Sequence, residues 1–205
     1  MAELVKSFIT LDKDGGSGNG TVTGSANSNN TGRNARQVSV TLSAVGVESV
    51  SRTLIQKGKG ESSSIQSTAA AAKTGQTLTL TGTSNSSALT FTVPAATDNI
   101  GLTLPANYTA NGVSTTNGAS ITGDPGATSE YNFSIQFSIP ANTDINPKTS
   151  QVVVTDDGGT SHICTITLAA GDAYLTVGQP SGELNWDGSN TITISVQSNT
   201  SWTVA

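Results

Sequence analysis

The sequence predicts an all-β chain of antiparallel β-sandwich modules in tandem, joined by a short linker. Composition is the first observation. Of 205 residues, 11% are charged, 4% aromatic and 34% hydrophobic. Thr, Ser, Gly and Asn are abundant, and Val, Ile and Thr carry the regular segments. That mixture suits strands and turns and disfavours long helices. So low an apolar fraction fits several thin cores better than one large one. Alternation is the second observation. In Tyr131–Ile139, residues Phe133, Ile135, Phe137 and Ile139 share one parity, opposite to Asn132, Gln136 and Ser138. Period two puts those four on one face of a half-buried strand. The third is punctuation: Asp156-Asp157-Gly158-Gly159 between two apolar runs is a hairpin signal.

In chain order, residues 1–60 form the first module. Val5–Leu11 reads as a strand, followed by the glycine-rich turn Asp14–Gly20 and the short run Thr21-Val22-Thr23. The polar loop Ser25–Asn34 leads into Gln37–Leu42, with Val38, Val40 and Leu42 on one face. Val50–Gln56 is the last strand of this part. Residues 61–75 read as a linker: Ser62-Ser63-Ser64 is flexible in type, and Ala69–Ala72 is long enough for one helical turn only. The central module, 76–171, holds strands at Thr77–Thr81 and Ala88–Val93 and a long loop over 94–128. The Tyr131–Ile139 strand follows, then a hairpin of Gln151–Thr155 and His162–Leu168. Residues 172–205 supply about three strands and read as the start of a further module, incomplete at Ala205.

Charge is uneven. Residues 1–60 carry seven Lys or Arg against four carboxylates, net +3; residues 61–205 carry Lys73 and Lys148 against ten carboxylates, net −8. A basic end on an acidic chain fits a docking end and a projecting, solvated end. It does not fit nucleic-acid binding, which wants clustered Lys/Arg with interleaved aromatics. The lone Cys164 excludes an internal disulfide framework. Met1–Lys6 has no basic segment leading into an apolar stretch, and no apolar run reaches membrane-spanning length. The expectation is a protein made in the cytoplasm and not inserted in a membrane.

Candidate chemistry is sparse. Asp12-Lys13-Asp14-Gly15-Gly16 opens like a calcium-binding loop, but Thr23 stands where the bidentate Glu belongs, so a glycine-rich turn is the reading. His162 and Cys164, two apart on a strand, share a face; without a third ligand they make no zinc site. There is one His, no nucleophile elbow and no P-loop, and the carboxylates are scattered singly. The chain is read as no enzyme, with no cofactor and no metal. Two pairs remain. Arg33 and Arg36, in the densest polar loop, either brace the next strand or contact an acidic partner surface. Trp186 and Trp202 either anchor a core or stack on a sugar ring.

The two ends resemble one family. Tyr174–Val177, Gly182–Trp186 and Ile192–Val204, with Asn199-Thr200-Ser201-Trp202-Thr203-Val204, resemble the front half of a BACON domain. That family is an Ig-like β-sandwich frequent in gut Bacteroidales and their phages. Gly15–Thr23, Asn30–Arg36, Val38–Leu42 and the ending Gln56-Lys57-Gly58 resemble its back half. The central module keeps the strand spacing but has neither the Trp nor the Gln-x-Gly ending. The resemblance implies Ig-like modules, an Arg that braces a strand, and Trp202 as a core anchor. Joined to the missing export signal, it points to head-fibre or capsid-decoration proteins of crAss-like Bacteroidales phages. The expected partners are a major capsid protein or another virion protein, with host glycans on the projecting modules. A carbohydrate-binding or adhesin module of a Bacteroidales surface protein is the alternative. The half-modules at the two ends carry their own expectation. Either more chain follows Ala205, or a neighbouring copy supplies strands and makes a homo-oligomer, or the last segment packs on the central module.

Overall fold

The computed structural model of the chain describes residues 2–178 and 182–205. It is all-β, and among the described residues there is no α-helix. The first unit contains β1 (Leu4–Lys6), β2 (Ile9–Leu11), β3 (Gly24–Ala26), β4 (Arg36–Leu42) and β5 (Val50–Gln56). The central unit contains β6 (Ser63–Ile65), β7 (Thr68–Ala71), β8 (Gln76–Ser84), β9 (Leu89–Thr92), β10 (Asn107–Ala110), β11 (Val113–Thr116), β12 (Tyr131–Ile139), β13 (Lys148–Asp156) and β14 (Ser161–Leu168). The last contains β15 (Leu175–Val177) and β16 (Val196–Ser198).

Two sheets build the central sandwich, in the orders β11-β10-β12-β8-β6 and β7-β14-β13-β9. In immunoglobulin lettering, β6-β8-β12-β10 is A-B-E-D and β9-β13-β14 is C-F-G, the constant-type arrangement. Between them lies one core. Phe133, Ile135, Phe137 and Ile139 are all buried, as period two predicts, and face Val152, Val154, Cys164 and Ile166 from the opposite sheet. Phe91 tilts against Tyr108 at 4.9 Å and meets Phe133 edge-on at 5.6 Å, the offset geometries that ring quadrupoles favour. Gly82 sits where β6 and the Phe133 ring close in on the backbone, leaving no room for a Cβ.

Three expectations need correction. Segment 61–75 is not a free linker. Ser63–Ile65 pairs with β8, and Thr68–Ala71 pairs in parallel with β14, so the segment crosses from one sheet to the other. An isolated helical turn at Ala69–Ala72 has too costly a nucleus to compete with pairing along β14 that also buries Ala71. Nor is Val5–Leu11 one strand. Ser7 takes a left-handed φ of 58° and folds it into the β1–β2 hairpin, with Lys6 opposite Ile9. Finally, the loop over 94–128 contains the β10–β11 hairpin, turning at Asn111 (φ 50°) and Gly112 (φ 77°). Asn-Gly is the dipeptide that a two-residue hairpin turn prefers, so its signal was present.

The turn at Asp156–Gly159 is as expected. Gly159 has φ 86°, its N–H donates to the Asp156 carbonyl at 2.9 Å, and Thr160 N–H donates to Asp156 Oδ1 at 2.8 Å.

Two buried tyrosines give a paired prediction. Tyr131 donates its hydroxyl to the Ser86 carbonyl at 2.9 Å, and burial pushes its pKa up to about 12. The Tyr108 hydroxyl is buried beside the Leu89 backbone and makes no well-formed hydrogen bond among the described residues. Tyr131→Phe is expected to cost about 1 kcal/mol, and Tyr108→Phe nothing or to stabilise slightly, because an unmet buried hydroxyl carries its desolvation penalty uncompensated. Equilibrium denaturation of the two variants checks the contrast.

Around the sandwich the two outer units are thin. In the first, Phe8, Ile9 and Leu11 pack against Val38 and Val40 across the β1-β2-β3 sheet and the β4–β5 hairpin. Asp12 closes the glycine-rich loop from both sides, accepting the Thr23 N–H on Oδ1 at 2.8 Å while its own N–H donates to the Thr23 carbonyl at 2.9 Å. That carboxylate staples the turn. In the last unit β15 and β16 form a two-stranded sheet, one strand fewer than expected among the described residues.

Candidate functional site

Arg33 sits at the joint between the first unit and the central sandwich. The loop that carries it is curled by Asn30, whose Oδ1 accepts from Gly32 N–H at 3.1 Å and whose Nδ2 donates to the Asn34 carbonyl at 2.8 Å. Gly58 passes against the Arg33 carbonyl with no space for a side chain. From there the guanidinium reaches across. It grips Asp124 bidentately, Nη1 to Oδ2 at 2.6 Å and Nη2 to Oδ1 at 2.8 Å. It also donates from Nε and Nη2 to the Asn85 carbonyl, at 3.1 and 2.6 Å. Glu61 Oε1 lies 3.0 Å from Nε. The Arg33 side chain is only 18% exposed. Its hydrogen bond to Asp124 raises the guanidinium pKa and holds the Asp124 carboxyl below its ordinary value.

Polar side chains around the pair complete the joint. Asn85 Oδ1 accepts from Ser62 N–H at 2.6 Å, and Asn85 Nδ2 donates to the carbonyls of Gly60 and Ala127. Ser86 Oγ donates to Glu61 and accepts from Asp157 N–H at 2.9 Å. Arg36 is also engaged. Nε donates to Gln56 Oε1 at 2.7 Å, Nη2 donates to Ser28, and the guanidinium lies 4.5 Å over the Phe8 ring. Both arginines therefore brace the chain itself. Arg33 and Arg36, the candidate docking residues, thus have their head groups taken up by partners within the chain. The exposed cations of the first unit are Lys6, Arg52, Lys57 and Lys59.

Sequence reasoning missed the other half of this site. Glu61 fell in the presumed linker, and Asp124 and Asn85 in presumed loops. A carboxylate 91 residues from its arginine leaves no local pattern.

The tryptophans lie at the opposite end. Trp186 is 98% and Trp202 50% exposed. Leu175, Val177, Leu184, Ile194 and Val204 of the same unit are exposed as well. Among the described residues no layer covers either ring, so the expected core-anchor position of Trp202 is half-exposed. Asn199 tethers the unit to the central sandwich, donating from Nδ2 to the carbonyls of Thr143 and Asp172 at 3.2 and 2.8 Å and accepting Tyr174 N–H at 3.0 Å.

The remaining candidates are structural. Cys164 is fully buried, and burial pushes its thiol up, away from the reactive thiolate. His162 lies on the same face of β14 as Cys164 and Ile166, at the end of that strip, and is half-buried. Among the described residues no three His, Cys, Asp or Glu side chains gather as a metal site would require. Asp98 is a loop brace: burial works against its charge, but bonds from Ser150 Oγ and the N–H groups of Gly101, Leu102 and Ile100 outweigh that and lower its pKa.

Depressed carboxylates fix a pH dependence. Asp98 and Asp124 are held below the ordinary 3.8 in the fold. Their contribution is complete above that value and is lost as pH falls through the lower folded-state values. The melting temperature is expected to hold from neutrality to roughly pH 5 and to fall below roughly pH 4. Asp98→Asn is expected to flatten the acid limb, which a pH series of melting curves measures.

No protein-family model matches this chain, and no curated protein matches it.

Proposed function

We propose that the chain is a structural virion protein, a head fibre or capsid decoration of a Bacteroidales phage. Its first unit is the anchoring end, and the central and last units project as Ig-like modules in tandem. The observation that carries this is β units in tandem with a pinned joint at Arg33 between the first and the central one. Such a part fits assembly better than turnover of a substrate. The resemblance of both ends to BACON domains supports the phage assignment. Docking on a capsid falls to the exposed Lys6, Arg52, Lys57 and Lys59, whose attraction to an acidic surface weakens with salt. The test is mass spectrometry of purified phage particles beside a bacterial outer-membrane fraction. Presence in the particle, at a stoichiometry tied to the capsid protein, is expected. Presence in the membrane fraction alone overturns the reading.

One observation favours a second reading. Trp186 presents an almost fully exposed ring, the kind of surface on which a sugar stacks. A carbohydrate-binding module would then lose glycan binding in Trp186→Ala, which glycan-array and calorimetric titration would detect.

A further inference from the structure

An Asn-Gly step is a place where a protein chain can modify itself. The Gly nitrogen has no neighbouring side chain to shield it. Having given up its proton to base, it attacks the side-chain carbonyl of the preceding Asn. A bond forms from that nitrogen to Cγ and ammonia leaves, giving a succinimide. Water then opens the ring at either carbonyl and leaves an Asp or an isoaspartyl residue, with one new negative charge. The step needs two freedoms. The Asn amide must swing over the next nitrogen, and that nitrogen must not be held in a hydrogen bond. This chain has three such steps, Asn19-Gly20, Asn111-Gly112 and Asn117-Gly118, and the fold treats them differently.

Asn117 is locked on both counts. Its Oδ1 accepts the Phe91 N–H at 2.7 Å and its Nδ2 donates to the Phe91 carbonyl at 2.9 Å, so the amide closes the edge of β9 much as a further strand would. The attacking nitrogen of Gly118 is itself engaged, donating to the Leu89 carbonyl at 2.9 Å. Asn111 is held less firmly. It stands in the β10–β11 turn at φ 50°, and its Nδ2 donates to the Gly123 carbonyl at 3.2 Å. Asn19 has neither restraint. Asp12 and Thr23 pin the base of its loop. Above that base, among the described residues, no hydrogen bond engages the Asn19 side chain or the Gly20 N–H. Both residues are exposed, and nothing lies within 4 Å of where a Gly20 Cβ would stand.

We infer that Asn19 is a self-modification site, converted to Asp or isoaspartate with water as the co-reactant, while Asn111 and Asn117 are kept intact by the fold. Open space at Gly20 accommodates the extra backbone methylene of an isoaspartyl link. The product carboxylate enters a loop that already holds Asp12 and Asp14 with Lys13, and Lys13 is paired with Asp12 at 3.8 Å. Residues 1–60 then carry seven cations against five carboxylates, +2 in place of +3. The conversion is a slow, one-way charge change on the first unit. The inference is independent of the virion reading, which concerns where the protein resides.

Peptide mapping by mass spectrometry tests it, on the full chain incubated at mildly alkaline pH both folded and in guanidinium chloride. The unfolded chain gives each step its own reference rate. The ratio of folded to unfolded rate is expected to be close to one at Asn19. At Asn117 it should be about a hundredfold lower, the factor that three hydrogen bonds of ordinary net strength put on local opening. Asn111, with one such bond, should lie between. Anion exchange of the intact protein should show a more acidic form that grows in step with the Asn19 product, while the melting transition of the central sandwich stays in place. Gly20→Ala supplies the control. Its backbone is not left-handed and the space around it is open, so the loop accepts a methyl group, which shields the attacking nitrogen and should remove the early Asn19 product. A folded chain that keeps Asn19 intact while the unfolded chain reacts there overturns the inference. So does a folded Asn117 that reacts in step with Asn19, or an Asn19 product that forms as fast in Gly20→Ala.

Discussion

Phe133→Ala is expected to remove about 4 kcal/mol from the stability of the central sandwich, within the span of large-to-small core substitutions. Phe133 is 2% exposed and touches both layers: it meets Phe91 edge-on across the core and closes over Gly82 within its own sheet. Truncation removes the ring's transfer free energy and leaves a cavity that a sandwich fixed by two full-length strand pairings collapses only in part. The comparison is Gln136→Ala on the same strand. Gln136 is exposed and makes one side-chain bond, to Thr79 Oγ1 at 3.1 Å, so about 0.5 kcal/mol or less is expected. Urea titration of both variants measures the difference. Equal losses at the two positions would mean that the alternation of β12 does not set which side is core.

That alternation is why the central fold was legible. Period two along Tyr131–Ile139 depends only on neighbouring residues, and so does the Asp156–Gly159 turn. Segment 61–75 was illegible for the opposite reason. Ser63–Ile65 and Thr68–Ala71 have weak propensities of their own and become strands because β8 and β14 offer them edges. At the site, Arg33 and Arg36 stood out as unusual residues in a polar loop, and the tryptophans by their place near the end. What each does was not legible. The partners of Arg33 come from Glu61, Asn85 and Asp124, brought together only by folding. The exposure of Trp186 and Trp202 depends on how their unit packs over long range. Residue type can mark a candidate, while its role is decided by long-range neighbours.

Arg33→Ala is expected to loosen the joint between the first unit and the central sandwich, with a local loss of about 2–3 kcal/mol. Removing one partner of a buried ion pair costs more than that, because the remaining charge is left uncompensated. Here the loss is discounted, since Asp124 is 27% exposed and partly solvated, whereas Glu61 is 9% exposed and is not. The Asn85 carbonyl loses both of its guanidinium donors as well. The effect should be confined: the hydrogen bonds and ion pairs of Arg33 go to loop residues Glu61, Asn85 and Asp124 and not to the core strands, so the main melting transition should move little. Hydrogen exchange should rise about thirtyfold or more at 57–62 and 124–127, by the usual conversion of free energy to equilibrium constant. Asp124 should titrate closer to its ordinary 3.8 once the guanidinium that lowers it is gone, which carboxyl NMR shifts report. Arg33→Lys should recover the charge but not the fork that spans Asp124 and Asn85 together, and so fall between. Unchanged exchange in Arg33→Ala would show that the joint is held by Asn85 and Ser86 without the arginine. A collapse of the whole melting transition would show instead that the first unit and the sandwich unfold as one body.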